Sequence, residues 1–221
     1  MNQELVIFGA SSEIATEFDK LLKKSDYKVH KFSLNDPENS CVEITNYIKD
    51  IKSIKNYINK LENPMIIFFN GFLAENRPLY SPSGEEIDKT YEINFKIPSM
   101  LIDSLLSLKQ VKKFIIISSV AAIKPRYKNF FYGLSKSMLE NYLLSLPDID
   151  YLIIRFGKVL TKMSNDHSNP PFVISKEVGA KLIIKNISKS GIIYPTLGLK
   201  ISSKLMKIMP STFLNFLEQR I

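Results

Sequence analysis

Phe114-Ile-Ile-Ile-Ser-Ser-Val120, followed after a short loop by Phe130-Phe-Tyr-Gly-Leu-Ser-Lys136, carries the reading of this chain. The first segment is an apolar run ending in two hydroxyls, the pattern of a buried strand whose C-terminal end opens into a site. The second begins a helix, on which residues four apart share a face. Tyr132 and Lys136 are four apart, so phenol and ammonium point the same way. A free phenol ionises near pH 10, and a cation a few Å away lowers that value, which turns the pair into a usable general acid or base. Ser119, at the strand end, can hydrogen-bond a carbonyl oxygen beside them. A second Tyr-x-x-x-Lys, Tyr27 and Lys31, falls in an extended segment, where four residues span roughly 13 Å, too far for the same coupling.

On either side of this stretch, strands and helices alternate. Apolar runs at residues 5–8, 27–33, 41–44, 64–69, 150–155 and 191–194 join 114–119 as strands. The expected fold is α/β: a Rossmann-type, doubly wound, mostly parallel seven-stranded sheet with helices on both faces. Residues 1–195 form that domain, and 196–221 an amphipathic helical tail. Only about eight residues separate 27–33 from 41–44, too few for a full helical crossover. Helices are expected over 45–61, with Thr45 as N-cap and a stripe through Tyr47, Ile48, Ile51, Ile54, Tyr57 and Ile58, over about 85–108, from Tyr132 to about 146, and over about 175–189. Gly9-Ala-Ser-Ser-Glu-Ile-Ala15 follows the first strand. A strand, a glycine turn and a helix start leave backbone N–H groups and a helix dipole facing an anion, and Ser11 and Ser12 add donors.

The bulk numbers narrow the classes. A chain of 221 residues with 45% apolar and 24% charged residues is an ordinary globular domain. Cys41 is the single cysteine, which excludes an internal disulfide and points to a reducing compartment. No apolar h-region follows Met1 and no apolar run reaches the 18 or so residues of a membrane span, so a cytoplasmic protein is expected. The net charge is +8, yet only Arg77, Arg126, Arg155 and Arg220 are arginines; the rest is scattered Lys, a solvated surface rather than a nucleic-acid reader. His30 and His167 have no partners at metal-ligand spacing, so no metal is expected.

Taken together, these elements resemble the short-chain dehydrogenase/reductase family over roughly residues 4–195. The turn of Gly9, Ser11, Ser12 and Ile14 resembles its glycine-rich cofactor loop, and Asn70-Gly71 the Asn-Ala-Gly element after strand four. Asn94, Ser119, Tyr132 and Lys136 fall where the family places its catalytic tetrad. Phe156-Gly-x-Val-x-Thr161 resembles the segment facing the nicotinamide, with Gly157, Val159 and Thr161 in place, and Glu43-Ile-Thr45 resembles the acidic element near the adenine. The resemblance implies that Tyr132 exchanges a proton with the substrate oxygen. Lys136 would lower its pKa and hold the nicotinamide ribose, Ser119 would orient the carbonyl, Asn94 would hold a relay water, and Thr161 would bond the carboxamide. Glu13 and Ala15 stand at the second and third glycine positions, and Phe156 replaces a Pro. An NAD enzyme usually places an acid at the end of strand two; His30-Lys-Phe-Ser33 has none in line, so NADP is expected over NAD, with Ser33 beside it.

The implied activity is interconversion of a carbonyl and a secondary alcohol, with a sugar or sugar-linked substrate as one option. The alternatives are a sugar-nucleotide epimerase or dehydratase, and a non-catalytic nucleotide sensor or scaffold for which Glu13 speaks. Lys124, Arg126 and Lys128 border the expected site mouth, which reads either as solvated charge or as a seat for an anionic substrate. The tail sets Ile201, Leu205, Ile208 and Met209 against Lys200, Lys204 and Lys207, then Pro210 precedes Phe213, Leu214, Phe216 and Leu217. It would pack on its own domain or on the mate in a homo-oligomer, or touch a membrane's inner face through 199–217.

Overall fold

In the computed structural model, which describes residues 3–210 apart from 24, 37, 39, 75–81 and 166–168, the chain forms eight strands and seven α-helices among the described residues. Arg77, His167 and the tail's Phe213, Leu214, Phe216 and Leu217 lie outside the described residues. The strands are β1 (Gln3–Phe8), β2 (Tyr27–Phe32), β3 (Met65–Phe68), β4 (Lys113–Ser119), β5 (Tyr151–Phe156), β6 (Val159–Leu160), β7 (Ile174–Ser175) and β8 (Gly191–Ile193). Six of them make one all-parallel sheet in the order β2-β1-β3-β4-β5-β8, while β6 and β7 form a separate parallel pair. The helices are α1 (Glu13–Leu22), α2 (Ile51–Ile58), α3 (Gly84–Tyr91), α4 (Ile97–Leu105), α5 (Phe130–Ser145), α6 (Lys176–Asn186) and α7 (Leu197–Ile208).

The period of two in β1 builds both layers of core. Val6 and Phe8 point to the face covered by α2, α4 and α5, where they join Ile54, Leu101, Leu105, Leu139 and Leu143. Leu5 and Ile7 point to the face covered by α1 and α6, where they meet Phe18, Leu22, Ala180 and Ile183. Each buried Val, Leu, Ile or Phe among them contributes about 1.5–3 kcal/mol. The chain runs from β1 outward to β2 and then returns past β1 to β3. That reversal opens a crevice at the carboxyl ends of β1 and β3, where open α/β sheets take their ligands.

Three expectations change. The sheet has six strands, not seven: residues 41–44 are irregular, and Cys41 N–H donates to Lys31 O (2.8 Å) before the chain leaves the edge of β2. Without a crossover helix there is no chain to lay a parallel strand there. The helix expected over 45–61 begins at Ile51, because Asn46 and Asp50 take the preceding N–H groups onto their side chains. The helix expected over 85–108 is broken by a π turn at Glu92–Lys96. Pro98 has no N–H to offer the Asn94 carbonyl four residues earlier, and the turn accommodates that loss.

Candidate active site

β4 ends at Ser119, and a short turn carries the chain into α5, whose first two turns hold Tyr132 and Lys136. The approach is close because residue 133 is glycine: a Cβ there would stand 2.7 Å from Ala121 O and 3.1 Å from Pro125 Cα. Ser119 Oγ accepts from Ala121 N–H (3.2 Å) and hydrogen-bonds the Tyr132 phenol. Lys136 is buried, with Nζ donating to Asn70 O (2.9 Å) and Ile117 O (3.2 Å). These groups line a cavity of about 500 Å³ at the carboxyl ends of the strands.

The electrostatics depart from the expected pairing. Burial pushes the Tyr132 phenol up to about 12, and the Ser119 hydrogen bond pulls it part of the way back. Burial pulls the Lys136 amine down to about 8, against the nearby Glu140 carboxylate, which favours its charge. The amine lies 6.0 Å from the Tyr132 ring centre and donates to two backbone carbonyls instead of the phenol. In the protein alone, desolvation outweighs the cation that was expected to acidify Tyr132.

Of the residues singled out in the sequence, Ser12, Ile14, Asn70, Gly71, Ser119, Tyr132, Lys136, Gly157, Val159 and Thr161 line the cavity. Asn94 is fully buried just behind it. Its Oδ1 accepts from Phe72 N–H (2.7 Å) and its Nδ2 donates to Phe72 O (2.8 Å) and Ser135 Oγ (3.1 Å), so its side chain clamps the loop after β3. Gly9, Ser11, Ser33 and Glu43 are not brought to the cavity. Gly9 adopts φ +71°, and a Cβ there would meet Asn70 N at 2.8 Å, so this turn and the β3 end touch backbone to backbone. Ser11 and Glu43 are exposed, and Ser33 is buried with an unpartnered Oγ. Glu13 accepts from Lys162 N–H (2.6 Å) and pairs with Lys176 (2.9 Å). The Lys162 N–H first, and Lys176 second, hold its carboxyl below the usual range.

Sequence reasoning missed several contributors. Tyr47, read only as part of a helical stripe, is a buried phenol under the glycine turn. It donates to Phe32 O (2.9 Å) and accepts from Gly9 N–H (3.4 Å). Glu140, one turn beyond Lys136 on the same face, is buried, accepts from Ser118 Oγ (2.5 Å) and takes Arg155 through two nitrogens (3.0 and 2.5 Å). Arg155 also donates to the Tyr194 hydroxyl (2.8 Å). The i, i+4, i+8 spacing of Tyr132, Lys136 and Glu140 was the available signal. The far wall comes from α7 and the loop before β7, through Phe172, Leu199, Ser202, Leu205, Met206 and Met209. Arg126 and Lys128 line the mouth, whereas Lys124 donates to Met209 O and ties down the end of α7.

No protein-family model matches the chain. Solved structures do resemble it. A short-chain dehydrogenase from Burkholderia cenocepacia, in complex with NADP, superposes with a TM-score of 0.74 at 14% identity, over 95% of this chain and 98% of that one. The fold is that of the short-chain dehydrogenases. Thermoplasma acidophilum aldohexose dehydrogenase matches with a TM-score of 0.70 at 16% identity, over 90% of this chain and 94% of the other. A dTDP-4-dehydrorhamnose reductase from Clostridium acetobutylicum matches at 0.62 and 19%, over 87% and 73%. Against this short-chain dehydrogenase frame, the cavity lies at the reversal of strand order, where the fold places its ligands. Among the described residues, no three His, Cys, Asp or Glu side chains gather as a metal site.

Proposed function

We propose that this protein is a short-chain dehydrogenase/reductase that uses NADP to interconvert a carbonyl and a secondary alcohol, with Ser119, Tyr132 and Lys136 as its catalytic residues. The observation that carries this reading is the convergence of these three side chains on one cavity wall. The residues present fit a nicotinamide dinucleotide. Ser12 makes no side-chain cap to α1, so that helix start faces the crevice with its first N–H groups unclaimed by the cap. Asn70 Oδ1 is buried without a partner at the cavity wall. Thr161, Gly157 and Val159 share that lining with Lys136. The cofactor supplies the hydride. NADP rather than NAD is favoured by the absence of an acid in His30-Lys-Phe-Ser33 and by the NADP bound to the Burkholderia protein.

The protein's own groups then do the rest. A phenol held protonated by burial is set up as a general acid, which suits delivery of a proton to a carbonyl oxygen during reduction. Ser119 holds that phenol in place and offers a hydrogen bond to the same oxygen. Lys136 braces the Asn70 carbonyl against the end of β4 and presents a positive charge to the cavity near neutrality. Asn94 positions the loop that carries Gly71 and Phe72. Arg126, Lys128 and Lys158 at the cavity wall favour an anionic substrate, such as a phosphorylated or nucleotide-linked keto-sugar. The alternative of a non-catalytic sensor loses its main support, because the Glu13 carboxylate is engaged by Lys162 and Lys176 and does not line the cavity.

The test is a panel of keto-sugars and simple ketones with NADPH, run on wild type and Tyr132→Phe. Turnover by wild type that falls about 10²–10⁴-fold in Tyr132→Phe is expected. NADPH binding with no turnover of any carbonyl, or turnover unchanged in the variant, would overturn the reading.

A further inference from the structure

α7 carries more apolar surface than covering its own domain requires: Leu199, Met206 and Met209 line the cavity, and a second apolar row faces outward. Its buried positions are Leu199 and Ser203, and the Ser203 hydroxyl has no hydrogen-bond partner. The side turned outward is apolar: Leu197, Ile201, Leu205 and Ile208 are 72%, 51%, 48% and 79% exposed. At 100° per residue, these four fall within one stripe about 80° wide, on the side away from Leu199 and Ser203. Lys200, Lys204 and Lys207, all exposed, form one edge of that stripe. Phe172 extends it beyond the start of α7: its ring lies where a Cβ of Gly198 would be, it is 45% exposed, and it holds φ +68°, a conformation that a bulky residue rarely adopts. Single exposed apolar residues are ordinary, but a continuous row of large ones beside a cavity mouth marks a contact surface.

We infer that this face of α7, with Phe172, docks on an anionic lipid bilayer. An apolar stripe edged by lysines suits a helix lying in the plane of such a surface, its apolar side among the acyl chains and its amines at the headgroups. A second copy of the chain fits less well. A two-fold contact sets the same patch against itself with the lysines of both copies around it, and residues 197–210 contain no Asp or Glu to answer them. Leu205 belongs both to the stripe and to the cavity lining, so the docked face adjoins the cavity mouth. The inference stands apart from the reaction proposed above, because it uses no catalytic group.

The experiment is co-sedimentation of the full chain with phosphatidylcholine vesicles, with and without about 30 mol% phosphatidylglycerol. Sedimentation with the anionic vesicles only, weakened by salt, is expected. Lys200→Gln, Lys204→Gln and Lys207→Gln together should lower partitioning about a hundredfold, since each lysine near such a surface is worth about fivefold. Ile201→Ser with Ile208→Ser should lower it about tenfold or more. Thermal midpoints of both variants should match wild type, since all five side chains are exposed. The inference is overturned by any of three results: no sedimentation of wild type, equal sedimentation with neutral and anionic vesicles, or binding untouched by both variants. It is also overturned if wild type is a dimer in solution that Ile201→Ser with Ile208→Ser dissociates, which would assign the face to a second copy.

Discussion

Lys136 shows how one side chain can serve a site and burden the fold. Burial holds its folded pKa at about 8, below the ordinary 10.5. Below pH 8 both folded and unfolded chains carry the charge, and the net penalty, desolvation less the Glu140 attraction, on the order of 3 kcal/mol, stands against folding. Between pH 8 and 10.5 the unfolded chain binds more protons, so stability rises with pH as that penalty is relieved. Lys136→Met should therefore abolish turnover yet melt higher than wild type at pH 7, with the gap closing by pH 10; calorimetry of both proteins across that range checks this. Tyr132 shifts the other way, up to about 12, so its effect on stability appears only above pH 10, where the unfolded phenol ionises first. Ser119→Ala removes the hydrogen bond that favours phenolate. Its pH–rate profile should lose turnover about 10–100-fold and move the phenol's limb to higher pH. The types and spacing of Ser119, Tyr132 and Lys136 were legible in the chain. The direction of the Tyr132 shift was not, because desolvation depends on what the rest of the fold packs around the phenol.

Where elements meet, two contacts govern the site. The first is the approach of α5 to the turn after β4, which has room only for Gly133. Gly133→Ala should push α5 outward, cost about 1–3 kcal/mol and lower the thermal midpoint by roughly 2–10 °C, with a fall in turnover larger than the loss of folded protein explains. The second is the tie from α5 to β5 through Glu140 and Arg155, with Ser118 and Tyr194 completing it. Arg155→Met leaves a buried carboxylate without its ion-pair partner and should cost about 3–5 kcal/mol, and adding Glu140→Gln should restore most of it. Urea unfolding of the two single variants and the double variant measures that coupling. Strand positions were readable because each buried strand is a short apolar run. The missing strand at 41–44 was misread for the same reason: Val42 and Ile44 pack against the core without joining the sheet. The π turn around Asn94 had a local cause in Pro98, visible in the chain once the acceptor four residues back is considered.

Across the protein, the cavity is closed by parts far apart in sequence. Glu13, at the start of α1, holds Lys162 and Lys176, while Lys124 after β4 holds the Met209 carbonyl at the end of α7. Lys124→Met should loosen that end of α7 and raise the KM of the carbonyl substrate several-fold, with NADPH affinity kept; steady-state kinetics and a fluorescence titration separate the two. The sequence alone determined the layered α/β fold and the residue types of the candidate site, because alternation along a strand and four-residue spacing on a helix are local geometry. Only the tertiary structure decided which groups share the cavity, that Glu140 and Arg155 stand behind Lys136, that α7 forms a wall, and that burial governs Tyr132. Those outcomes come from long-range packing and from the water it removes, and neither is written in the spacing of neighbouring residues.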